Sequence, residues 1–168
     1  MRVIGLAGWS GAGKTTLLTK LIPCLTGQGI SVSTLKHAHH RFDLDQPGKD
    51  SHAHRMAGAC QVLISSANRW ALMSELRGAP EPGLRTLLAK LDPVDLVIIE
   101  GFKRDTHPKI EVHRAANGKP WIFPEDPMVR AVASDTPPPE GAPESFHLDD
   151  APAIAAALLR LAVPRDAL

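Results

Sequence analysis

The stretch "GWSGAGKTT", residues 8–16, decides how the rest of the chain is read. It follows the apolar run "RVIGLA" (2–7) and precedes "LLTKLI" (17–22), whose leucines recur at helical spacing. The stretch is therefore a strand-to-helix turn. Gly8, four residues, Gly13, Lys14 and Thr15 fit the pattern GxxxxGK[ST]. The residue types suit a polyphosphate. Gly8, Gly11 and Gly13 let the backbone curl so that its N–H groups point inward, and they remove side chains that would block an approaching anion. The helix that begins near Lys14 adds the partial positive charge of its N-terminus. Lys14 is placed for the β- and γ-phosphates and the Thr15 hydroxyl for Mg²⁺. The candidate nucleotide contacts are Gly8, Ser10, Gly11, Ala12, Gly13, Lys14, Thr15 and Thr16. An ordinary glycine-rich βα turn would give the same letters by chance, but the strand before, the helix after and the doubled threonine favour phosphate binding. A dinucleotide fold fits less well. Thr16 stands where its third glycine belongs, and Lys36, not an acid, closes the second strand.

Working outward, "ISVSTLK" (30–36) reads as a second strand, followed by the polar loop "HAHHRFDLDQPGKDS" (37–51) and a short helix through Ala57 capped by Asp50 or Ser51. "QVLISS" (61–66) and "RWALMSEL" (69–76) read as a hairpin turning at Ala67-Asn68. A helix over 81–91 precedes "VDLVIIE" (94–100), an almost wholly apolar strand of the kind buried in a parallel sheet. "KIEVHR" (109–114) alternates and reads as half-exposed; "MVRAVAS" (128–134) is another strand; "TPPPEGAPES" (136–145) is a Pro-rich surface connection; and 151–163 is a closing amphipathic helix. Pro23 lies inside the first helix and is expected to kink it. Strands and helices alternate, which predicts an α/β protein: a P-loop NTPase-type three-layer fold, with a mostly parallel central sheet and helices on both faces. The expected organisation is a single nucleotide-binding domain over 1–168.

Composition narrows the function. With 168 residues, 19 Lys and Arg against 18 Asp and Glu, and a net charge of +1, the chain lacks the basic excess of a nucleic-acid or membrane-surface binder. No run of 18 apolar residues predicts a membrane span. The N-terminal apolar run is broken by Gly5 and Gly8, unlike a signal peptide. Cys24 and Cys60 form no CxxC pair and are expected to be buried, reduced thiols, in keeping with a cytoplasmic protein.

Ligands of such sheets bind outside the carboxyl ends of the strands. Glu100, which ends the apolar strand, is the candidate acid for holding Mg²⁺ or orienting water, since a carboxylate beside so apolar a run needs a partner. The alternative is a local hydrogen bond. Asp43, Asp45 and Asp50 follow the second strand, and Asp45 is the further metal candidate; the competing reading is a helix cap and solvated carboxylates. Lys49 and Arg55 either meet an anionic ligand or face water. Asp135, after the strand 128–134, is the candidate base reader or else a turn residue before Pro137. His37, His39 and His40, with His52 and His54 nearby, are an alternative zinc or nickel site. They would make the chain a metallochaperone GTPase. A small-molecule P-loop kinase with Glu100 as base is a third reading. Trp121, Ile122 and Phe123 in "KPWIFPEDP" (119–127) either meet a partner or cover the sheet.

Three segments together, "GWSGAGKTTLL" (8–18), "TLKHAHHRFDLDQPGKDSHAHRMAGA" (34–59) and "DLVIIEGFKRDTHPKIEVHR" (95–114), resemble the MobB family of molybdopterin-guanine dinucleotide biosynthesis adaptor proteins. The resemblance runs from residue 2 to about 135, and its middle segment is the specific part, because P-loops are widely shared. It implies a GTP-binding protein with Mg²⁺ and slow intrinsic GTPase activity. Such proteins assist the guanylyltransferase that joins GMP to molybdopterin, and resemble homodimers whose subunits share an extended sheet. It would also give Lys36, His37, Lys49 and Arg55 a purpose, facing the anionic pterin phosphate or the partner's nucleotide.

Overall fold

The computed structural model describes residues 1–38 and 42–168. The chain forms two compact units, Met1–His37 with Leu84–Leu168, and Ala38–Gly83.

In the larger unit, β1 (Arg2–Ala7) leads through the glycine loop into α1 (Lys14–Thr26), which continues through Pro23 to Gly27. β2 (Val32–Lys36) closes the first segment. In the smaller unit, α2 (Asp50–Met56) precedes β3 (Gln61–Ser65) and β4 (Trp70–Ser74). The chain then returns to the larger unit with α3 (Leu84–Leu88), β5 (Leu96–Glu100), β6 (Lys109–His113), β7 (Val129–Ser134), β8 (Glu144–His147), α4 (Ala151–Leu161) and the short β9 (Val163–Pro164).

Among the described residues, the main sheet has the order β2-β5-β1-β6-β7-β8. All of these pairings are parallel, and β9 adds an antiparallel pair at Arg2 and Val3 of β1. Val3–Ala7 of β1 and Leu96–Ile99 of β5 are apolar and buried, with both faces covered. On one face α1 and α4 pack Leu17, Leu21, Ile154 and Leu158 over Ile4, Leu6, Leu96, Ile98 and Ile110. On the other, Leu84 and Leu88 of α3 meet Val3, Val97 and Ile99. The expected α/β architecture, with helices on both faces, is the observed one.

Several local expectations are corrected. The helix expected over 81–91 is only Leu84–Leu88. The N-cap of α2 is Lys49, without a side-chain cap bond; Ser51 instead donates to Asp45 Oδ1 at 2.8 Å. β8 lies where a Pro-rich connection was expected to end, and Cys60 is exposed rather than buried. The largest correction concerns β6, expected to be half-exposed and found buried along its whole length. The segment after it folds back over its polar side chains. Glu111 accepts from the backbone N–H groups of Ile122 and Phe123 at 2.8 and 2.9 Å. Lys109 pairs with Asp126 at 3.2 Å, and the His113 ring stacks on Trp121, centroids 3.7 Å apart. Trp121 and its neighbours therefore cover the sheet. Period-two alternation says that one face is polar; it does not say that the face is wet.

In the smaller unit β3 and β4 form the expected hairpin, pairing Leu63 with Leu72 and Ser65 with Trp70. No helix among the described residues is long and apolar enough to cross a membrane.

Candidate functional site: the glycine loop and the acid beside it

The loop between β1 and α1 departs from ordinary backbone at its glycines. Gly8 has φ 149°, and a Cβ there would lie 2.5 Å from the Val112 carbonyl oxygen, so no other residue fits without moving β6. Gly13, in the left-handed region, caps α1. Lys14 then folds back across the loop, its ammonium donating to the carbonyls of Gly8 and Trp9 at 3.0 Å each. Partial burial pushes the Lys14 pKa down; Glu100 opposes this, and Lys103 and Lys36 add to it.

Ser10, Gly11, Gly13, Lys14, Thr15 and Thr16 line one cavity of about 380 Å³ together with Lys36 and Glu100. The Thr15 hydroxyl donates to Glu100 Oε1 at 3.4 Å, and Lys36 Nζ lies 3.5 Å from the same oxygen. The structure thus brings the expected acid to the expected loop, because β5 lies beside β1 in parallel and both strands end at the same edge. Thr15 Oγ1 and Glu100 are hard oxygen donors of the kind Mg²⁺ takes, leaving further positions for water and phosphate oxygens. Their joint position fits that ion.

Sequence reasoning missed the residues that brace the loop from the β6 side. Asn117 Nδ2 donates to the Ser10 carbonyl at 2.9 Å, and the Trp9 indole N–H donates to the Pro120 carbonyl at 2.7 Å. Lys103 Nζ sits 4.7 Å from the centre of a Trp9 ring. No motif signals Asn117; only the return of the chain over β6 puts it there. Asp135, the candidate base reader, ends β7 and accepts from the Ala115 N–H at 2.8 Å, with Arg114 3.7 Å from its other oxygen. It holds the turn from which Asn117 reaches the loop.

His37 ends the first segment of the larger unit, and Asp43, Asp45, Lys49, Asp50 and Arg55 belong to the smaller unit. Asp45 accepts from Ser51 and lies 3.3 Å from Arg55. Arg55, expected to meet an anion or water, instead grips Asp43 through two nitrogens, at 2.7 and 3.1 Å, and Glu75 at 2.9 Å. Its guanidinium holds the Asp43 carboxyl down at about 2. Among the described residues no three His, Cys, Asp or Glu side chains converge as a metal site; His39 and His40 lie outside the described residues.

The family model for molybdopterin guanine dinucleotide synthesis protein B matches residues 3–135, most of the chain. The chain belongs to the MobB family. It is 46% identical over 138 residues to the molybdopterin-guanine dinucleotide biosynthesis adapter protein of Escherichia coli K12, covering 80% of this chain and 79% of that one. It is 45% identical over 139 residues to the protein of the same name from Haemophilus influenzae, covering 80% and 75%. The fold agrees. A crystal structure of molybdopterin-guanine biosynthesis protein B superposes with a TM-score of 0.75 at 27% identity, covering 95% of this chain and 99% of that one. The MobB homologue from Bacillus stearothermophilus superposes at 0.69 and 26% identity, covering 94% and 95%. The family match spans both units and includes every cavity residue described above.

Proposed function

We propose that this chain is a GTP-binding adaptor with slow GTPase activity. In the cytoplasm it would assist the guanylyltransferase that converts molybdopterin cofactor to its guanine dinucleotide form. One observation carries the nucleotide part: Lys14, Thr15 and Glu100 share a single cavity with the left-handed glycine loop at the carboxyl edge of the sheet. The adaptor part is supported by family membership and by the names of the relatives.

In this reading the loop amides and Lys14 hold the phosphate chain, and Thr15 and Glu100 would hold Mg²⁺, which would supply positive charge to the phosphate chain. Glu100 also orients the attacking water. Among the described residues, no arginine lines the cavity. Hydrolysis is therefore expected at the unassisted rate of about 10⁻⁴ to 10⁻³ per second. Asp135 is assigned to the guanine base, whose edge offers the N–H donors a carboxylate accepts.

The hairpin supports a homodimer. Leu63, Leu72 and Trp70 share one face and are exposed, and an isolated two-stranded hairpin is marginal in water. A second copy of the chain is the occupant this reading assigns, and Leu72→Glu should move the sedimentation coefficient to that of a monomer.

Calorimetry with GTP, ATP and guanosine, with and without Mg²⁺, tests the nucleotide reading. Expected are binding that requires the phosphates, strengthens with Mg²⁺ and prefers GTP, and loss of that preference in Asp135→Asn. Absence of heat with GTP, or equal binding of guanosine, would overturn it. The metallochaperone reading has no supporting observation among the described residues, and the kinase reading has no assigned acceptor site.

A further inference from the structure

We propose that Lys36 reads the terminal phosphate of the bound nucleotide, so that its ammonium group adds to the chain's distinction of a triphosphate from a diphosphate. The inference rests on the nucleotide-binding reading of the cavity and deepens it.

The argument starts from register. β2 and β5 are parallel neighbours, and Lys36 stands directly opposite Glu100. Side chains opposite one another in a ladder share a face. Glu100 shares its face with Leu96 and Ile98, which pack in the same cluster as Leu17 and Leu21 of α1. Lys36 is thereby carried to the face on which α1 begins, next to Thr15. One step back along the strand, Leu35 packs with the opposite cluster. A lysine at 35 would therefore have faced away from the loop.

The result is an oxygen with two claimants. Glu100 Oε1 receives the Thr15 hydroxyl at 3.4 Å and the Lys36 ammonium at 3.5 Å. An ammonium beside a carboxylate and a hydroxyl occupies the kind of place that a divalent cation takes between the same two groups. A divalent ion held by Thr15 and Glu100 would take over the charge of Glu100 and leave Lys36 without its counter-ion. The nearest new one would be the terminal phosphate of a bound nucleotide, whose charge the ion would help to neutralise. Lys36 has the freedom to make that exchange: its side chain is 60% exposed.

The charge balance agrees. Among the described residues the cavity is lined by two ammonium groups and one carboxylate, and Lys103 lies close enough to raise the local positive field further. Such a field suits the extra charge of a triphosphate over a diphosphate. An ion pair serving only to pin Glu100 would make no such distinction, because Glu100 would be equally pinned for either nucleotide.

The test is calorimetry of GTP and GDP, each with Mg²⁺, against the native chain, Lys36→Met and Lys36→Arg. Expected for Lys36→Met is a loss of GTP affinity of about tenfold with GDP affinity changed less than about twofold. Lys36→Arg keeps the native ratio within about threefold. If the native chain binds both nucleotides and Lys36→Met keeps the native GTP-to-GDP ratio, whether by changing neither affinity or both alike, this inference is wrong and the nucleotide site stands. If the native chain binds neither nucleotide, both fall.

Discussion

Gly5 lies directly beneath the His107 imidazole: a Cβ built on Gly5 would stand 2.4 Å from His107 Nε2 and 2.8 Å from its neighbouring ring carbon. His107 is 1% exposed, and neither ring nitrogen has a hydrogen-bond partner among the described residues. The sequence shows Gly5 only as an interruption of an apolar strand. The structure shows that the strand needs a gap there for a ring from over a hundred residues away.

Gly5→Ala should therefore destabilise the chain by about 2–3 kcal/mol, the cost of overpacking a tight site. Urea denaturation measures this. Combining Gly5→Ala with His107→Ala should cost less than the sum of the two single changes, because the pair is in contact. Strict additivity would mean that the ring does not press on β1.

His107 also makes stability depend on pH. Burial, reinforced by Lys109 and opposed by Asp126, lowers its pKa from 6.5 to about 4. Between those values the unfolded chain binds a proton that the folded chain refuses. The contribution is complete above pH 6.5 and is lost as pH falls toward 4, by about 3 kcal/mol in total. Burial raises the Glu111 pKa, so that group acts in the opposite sense. The measurement is thus a comparison: denaturation midpoints from pH 7 to 4.5 should fall less steeply in His107→Gln than in the native chain.

Lys109, 1% exposed, is held by Asp126 at 3.2 Å and by the Asp105 carbonyl at 2.6 Å. Asp126→Ala leaves a buried ammonium without its carboxylate and should cost about 3 kcal/mol. Adding Lys109→Met should recover most of that loss, since the methionine fills similar space without charge. A thermal melt of the single and double variants checks both expectations.

At the glycine loop, Lys14→Ala should lower GTP affinity about a hundredfold with little change in melting temperature, because Lys14 contributes charge rather than core packing. Asn117→Ala removes the brace on the Ser10 carbonyl. The expectation is an affinity loss of about threefold to tenfold, again with a near-native melt. Unchanged affinity in Asn117→Ala would mean that the loop holds its shape alone.

What the sequence by itself determined are the features written in consecutive residues. The glycine spacing and the doubled threonine mark the loop, the unbroken apolar run ending in Glu100 marks a central parallel strand, and the alternation around Ala67-Asn68 marks the hairpin. Each depends on backbone preference or periodicity over ten residues or fewer, so each is legible without a fold. Tertiary structure alone decided that Lys36 meets Glu100, that Asn117 braces Ser10, that Arg55 is consumed by Asp43, Asp45 and Glu75, and that the polar face of β6 is dry. Those outcomes turn on strand register and on where a returning loop lands. They join residues distant in the chain, and a side chain's polarity does not say whether water or another side chain will satisfy it.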